Sequence, residues 1–225
     1  MKRALLFALP LLAFALSGCG NDPNAGLGGI KTGDLAAAAR EAISSRRGAA
    51  EPAAVDPAAA RATVASNGVP IMFFRNEVTG ASAYLAVVGN NNGIETWSGN
   101  ERVSVSLRDG VLVATRGMGS DIMAARAPSA AALSAGTGQT SRDYVYLDGA
   151  DQTQKVTYTC TLSSKGAETI TVLGRTHATR HIVENCTGTQ GTAVNHFWFE
   201  GGMIRQSSQV LVGGVGNLTL QRIID

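Results

Sequence analysis

Three regimes of hydrophobic and polar patterning divide the chain. Ala4 to Leu16 is one apolar run. From Leu35 to Arg47, alanines recur behind Asp34, an N-cap residue type, which predicts a short helix whose alanine face buries little. Residues 48–56 read as a linker. Asp56-Pro57, a cap followed by proline at the first helical position, predicts a second helix reaching about Ser66. From Val69 onward the period becomes two. Arg102 to Leu107 alternates polar with apolar, and Val156, Tyr158, Cys160 and Leu162 share one face opposite Lys155, Thr157, Thr159 and Thr161. Asp109-Gly110 lies between two such runs as a hairpin signal, and Asp148-Gly149 and Gly201-Gly202 punctuate later ones.

These signals predict strands near 71–75, 82–88, 94–98, 102–107, 111–115, 142–147, 154–162, 168–174, 177–185, 194–200 and 203–212, with a last one at 217–224. The Ala/Ser/Gly-rich stretch 120–140 breaks the series and reads as holding a short helix capped by Ser120 or Asp121. Short connections imply antiparallel order. So many strands with one polar face predict a mainly β fold, an antiparallel barrel or sandwich with one or two short N-terminal helices.

The amino terminus changes the picture of where this domain works. Lys2 and Arg3, the apolar run and Ser17-Gly18-Cys19 follow the order of a secretory signal. The run of about 13 residues is too short for a bilayer-spanning helix, which takes roughly 20. Leu16-Ser17-Gly18-Cys19 resembles the bacterial lipobox, so Cys19 is the expected lipidation site, and two or more acyl chains anchor stably. Gly20, rather than aspartate, follows it, which by resemblance to enterobacterial sorting rules favours the outer membrane. The predicted organisation is a signal at 1–18, a Gly/Asn-rich tether at 19–33, helices and linker at 34–66, and a β-domain at 67–225.

Removing 1–18 leaves 207 of the 225 residues, and takes two of the 19 basic side chains, so 17 basic face 17 acidic. That balance lacks the basic face of a nucleic-acid binder. Cys160 and Cys186 are an even pair in an oxidising compartment and read as a disulfide; two buried free thiols are the alternative.

Candidate chemistry is sparse. His177, His181 and Glu184 would converge on a helix, but THATRHIVEN reads as a strand, where positions four apart lie about 13 Å apart. One zinc ion binding nitrogen at about 2.0–2.1 Å does not bridge that gap. Glu184 would face away from both histidines. His196 sits in an aromatic strand without an acidic or nucleophilic neighbour in sequence. No Gly-x-Ser-x-Gly elbow or P-loop occurs, and no cofactor or metal is indicated.

One region carries a family resemblance. Glu95-Thr96-Trp97, Val103 to Leu107, Arg108-Asp109-Gly110, Val111 to Thr115 and Arg116-Gly117-Met118-Gly119-Ser120-Asp121-Ile122-Met123 together resemble the YjbF family of lipoproteins, which includes the GfcB lipoproteins of group 4 capsule systems. Arg142 to Asp148, Thr157 to Cys160, Glu168 to Ile170, Glu184 to Cys186 and Phe197-Trp198 extend the likeness over about 60–223. The resemblance implies a barrel-like antiparallel fold and a non-catalytic role in making or exporting extracellular polysaccharide. Its implied partners are a membrane, through the lipid anchor, and the polymer or its export proteins.

Within that region, Gly117 and Gly119 permit positive φ. The segment reads as a tight strand-to-helix turn with Arg116 paired locally; alternatively Arg116 and Asp121 face a glycan or protein partner. Trp97 and Trp198 are core residues or, if exposed, sugar-stacking platforms. Two rival functions stay open: a glycan-modifying enzyme on the same scaffold, which requires converging carboxylates or a perturbed histidine in a concave site, and a general envelope scaffold.

Overall fold

A computed structural model describes residues 57–225, except 67, 100–101, 120, 149 and 212–215. The signal segment, Cys19, the tether, the helix expected at 35–47, the linker and the Asp56 cap lie outside the described residues. The first described element is helix α1 (Pro57–Ala65), opened by its proline. Its Arg61 donates to the backbone oxygens of Val172, Leu173 and Ile223, which ties the helix to the strands below.

The strands then run β1 (Ile71–Asn76), β2 (Ser82–Asn91), β3 (Ile94–Ser98), β4 (Ser104–Arg108), β5 (Val111–Arg116) and β6 (Ile122–Arg126). A short helix, α2 (Ala130–Ser134), precedes β7 (Gln139–Leu147), β8 (Thr153–Val172), β9 (Arg175–Gly188), β10 (Gly191–Glu200), β11 (Met203–Val210) and β12 (Asn217–Ile224). Consecutive strands pair antiparallel except at β5/β6, and β12 returns to pair with β1. The result is a nearly closed twelve-stranded barrel with one seam, between β5 and β6.

Tight turns make this meander. Asn92-Gly93, Asp109-Gly110, Leu173-Gly174 and Gly201-Gly202 each place two successive residues at positive φ, the type I′ geometry that matches strand twist. Inside lie Leu85, Trp97, Val105, Leu107, Leu112, Ile122, Val156, Cys160 and Leu218, the inward halves of period-two strands. Cys160 and Cys186 stand opposite each other in the β8/β9 register and are disulfide-bonded.

Two expectations needed correction. The strands expected at 154–162 and 168–174 are one strand, because the ladder to β9 runs through a bulge where Lys165 is the extra residue. A one-residue slip reverses the faces. Val156, Tyr158, Cys160 and Leu162 therefore point inward, while Ile170 and Val172 point outward. There they join Ile71 and Ile223 in a second apolar layer, with Val64 of α1 against it.

The other correction concerns 120–140. Asp121 does not cap a helix; it closes the turn into β6, which pairs with β7 from Ile122↔Tyr146 to Arg126↔Asp143. The helix begins later, at Ala130, where Ser129 Oγ accepts from Ala132 N.

Candidate functional site

At the seam, the segment singled out from the sequence is a hydrogen-bonded turn. Asp121 Oδ2 accepts from Gly117 N at 2.8 Å, and its Oδ1 accepts from Met118 N at 3.1 Å and Thr115 Oγ1 at 3.0 Å. Ile122 N donates back to Thr115 Oγ1 at 2.9 Å, and Arg116 donates to the oxygens of Thr115 and Ile122. Gly117 has φ +81°, and a Cβ there would meet Arg102 O at 2.4 Å. Gly119, at φ +93°, has open space around it. These bonds join β5 to β6 where the ladder lapses. Replacing Asp121 with alanine orphans Thr115 and two backbone donors and is expected to cost about 1–3 kcal/mol by urea unfolding. Gly117→Ala, which adds strain and a backbone clash, should cost at least as much; an unchanged midpoint for both would show the turn to be dispensable.

Trp97 is 0% exposed, so it offers no stacking platform: its place is the core. Its Nε1 donates to Glu95 Oε2 at 3.2 Å, and Arg222 lies 5.0 Å over its ring while donating to the same Glu95 oxygen at 2.8 Å. Glu95 and Arg222 open on a cavity of about 710 Å³ at one barrel end, where the β2–β3, β4–β5 and β10–β11 turns and α2 gather. Asn90, Asp109, Ser134 and Met203 also line it. Arg180 donates to Ser134 O, tethering α2 to β9 beside this mouth.

The barrel interior holds a charged pair. Arg142 and Glu184 are 1% and 0% exposed, and Arg142 Nε donates to Glu184 Oε2 at 2.6 Å. Thr140 Oγ1 and Asn195 Nδ2 donate to the same carboxylate at 2.7 and 2.8 Å. Burial works against the Arg142 charge, but Tyr144 and Glu184 beside it outweigh that and raise its pKa above the ordinary value. As the alternation predicts, Glu184 faces away from His177 and His181.

The outward face brings together residues that sequence reasoning kept apart. His181 pairs across the ladder with Trp198, and His196 with Val183, which puts both histidines and Trp198 on the outer side of β9 and β10. His181 Nδ1 lies 2.8 Å from Glu168 Oε2 and donates to it; His181 Nε2 lies 3.0 Å from His196 Nδ1. Trp198, partly buried, stacks on His181 with centroids 4.4 Å apart and planes 11° apart. Burial, with His181 beside it, lowers the His196 pKa. His196 also lines an open cavity of about 550 Å³, with Tyr158, Gln190, Val194 and Asn217. Outward alternation of positions 181, 196 and 198 was a signal in the sequence; the bulge that delivers Glu168 was not.

His177 belongs elsewhere. It donates through Nδ1 to Glu200, which also accepts from Arg205 Nε at 2.8 Å; Arg205 in turn forks onto Asp225. Burial pushes the Glu200 carboxyl up, and the bonds from His177 and Arg205 more than offset this, so it stays below the usual carboxylate range. This cluster fastens β10, β11 and the carboxyl end.

The fold resembles the crystal structure of the hypothetical lipoprotein YmcC from Escherichia coli (K12), with a TM-score of 0.66. The two are 18% identical, over 73% of this chain and 88% of that one. No curated protein matches the chain at a significant level. A family model does match residues 37–223; its description names a capsule polysaccharide lipoprotein and no reaction. With that match spanning most of the sequence, the chain belongs to the group 4 capsule polysaccharide lipoprotein family, gfcB/YjbF.

Proposed function

We propose that the protein is an outer-membrane lipoprotein, anchored by acyl chains on Cys19, that acts without catalysis in producing or exporting an exopolysaccharide or capsule. Family membership supports the polysaccharide context. The observation that carries the non-catalytic reading is the barrel-end cavity. Its wall offers the carboxylates of Glu95 and Asp109, a guanidinium, an amide and a hydroxyl, groups that hydrogen-bond a hydroxyl-rich chain. Glu95 is tied to both Arg222 and Trp97, so it holds a position rather than standing free as an acid or base. A stretch of polymer, or a partner carrying it, is the occupant.

Deleting the gene should reduce surface polymer, and a Cys19→Ser copy should not restore it. Arg222→Ala should restore it poorly while still reaching the membrane. Polymer unchanged in amount, length and attachment after deletion would overturn the reading.

A second reading, a glycan-modifying enzyme, is favoured by one arrangement: Glu168, His181 and His196 run in a hydrogen-bonded line to the wall of the second cavity. It predicts that His196→Ala leaves the amount of polymer alone and changes its covalent decoration.

A further inference from the structure

We propose that His181 and His196 form a binding site for a divalent first-row transition metal, with copper(II) the preferred ion. The proposal rests on neither reading of function. It starts from distance: His181 Nε2 and His196 Nδ1 are 3.0 Å apart on adjacent strands. An ion about 2.0–2.1 Å from each nitrogen would then subtend an angle of about 95°. That is close to the cis angle of a tetragonal copper(II) centre and narrower than the tetrahedral angle zinc adopts. The order of affinities for nitrogen donors points the same way.

The surroundings fit a ligand pair. Glu168 accepts from His181 Nδ1 at 2.8 Å, the carboxylate–histidine arrangement that sets the tautomer and strengthens the ligating nitrogen. Trp198, stacked on His181, holds that ring in plane. The rings of His181 and His196 lie within 29° of parallel. Each ring must tilt out of line with the contact, with the nitrogens kept at this separation, for both lone pairs to meet at a common point. No net proton leaves: His181 keeps its hydrogen on Nδ1, facing Glu168, and His196 moves its own from Nδ1 to Nε2. The open cavity beside His196 supplies the entry path, and water completes the coordination.

Trp198 makes the test direct, because copper(II) quenches an indole at this range. The full mature chain is titrated with copper(II), zinc(II), calcium and magnesium salts, followed by tryptophan fluorescence and by electron paramagnetic resonance of the copper form. Expected is one copper per chain, partial quenching, hyperfine structure from two nitrogen ligands, weaker zinc binding and no response to calcium or magnesium. Copper affinity should fall at least 30-fold in His181→Gln and His196→Gln, and about 10-fold in Glu168→Gln, which keeps both ligands. Should a histidine variant misfold, the resonance spectrum of the parent and the Glu168→Gln titration decide. Parent-like binding by His196→Gln, a spectrum without nitrogen ligands, or equal binding of calcium would each overturn the site.

Discussion

Arg142→Ala is expected to destabilise the barrel by about 3–5 kcal/mol, the cost of leaving one half of a buried ion pair without the other. A domain stabilised by roughly 5–15 kcal/mol would lose a third or more of its margin. The reason is local and severe. Glu184 is fully buried, and its remaining donors, Thr140 and Asn195, are neutral. Removing the charge from both sides separates the pair from its setting. Arg142→Met combined with Glu184→Gln leaves an oxygen that accepts from Asn195 and an amide that donates to the Thr140 hydroxyl, and should regain most of the loss. Equilibrium unfolding in urea, followed by circular dichroism, measures both variants. A loss below 1 kcal/mol for Arg142→Ala would mean that water reaches Glu184.

The disulfide is the second large term. Cys160 and Cys186 are 26 residues apart, and closing such a loop restricts the unfolded chain by about 3.5 kcal/mol on the chain-entropy model. At about 2–4 °C per kcal/mol for a domain of this size, the Cys160→Ala/Cys186→Ala protein should melt roughly 7–14 °C below the parent. The native ladder pairs these positions directly, so the loss acts chiefly through the unfolded state rather than through broken contacts. Scanning calorimetry on both proteins checks it. A melting point within about 2 °C of the parent would show that the hairpin already constrains the unfolded chain.

Legibility varied with how local each feature is. The inward face of β8, from Val156 to Leu162, was readable because a period of two leaves a trace in every second residue. The Asp109-Gly110 turn was readable for the same reason: only certain residue types accept positive φ. Strand β6 was not readable. Its five residues, IMAAR, bury only Ile122 fully and show no alternation, and their extended form comes from pairing with β7. The stretch 163–167 looked like a break between two strands because a bulge and a break share the same local signs, and only the continuing β9 ladder tells them apart.

The candidate sites divide along the same line. Asp121 and Gly117 were visible as turn residues, because their work is done within a few positions of themselves. The Glu168–His181–His196 line joins residues from three strands whose alignment depends on a bulge and a register. The mouth beside Glu95 and Arg222 joins β3 to the last strand.

By itself, the sequence determined most of the strands, most of the turns between them and the faces that seek the interior, since each follows from the stereochemistry of neighbouring residues. Only the tertiary structure decided that β1 closes on β12, that β5 and β6 leave a seam, that Arg142 and Glu184 meet inside, and that two histidines meet outside. Those outcomes turn on register, which is set by pairing between distant segments and can shift by one residue without altering any local pattern.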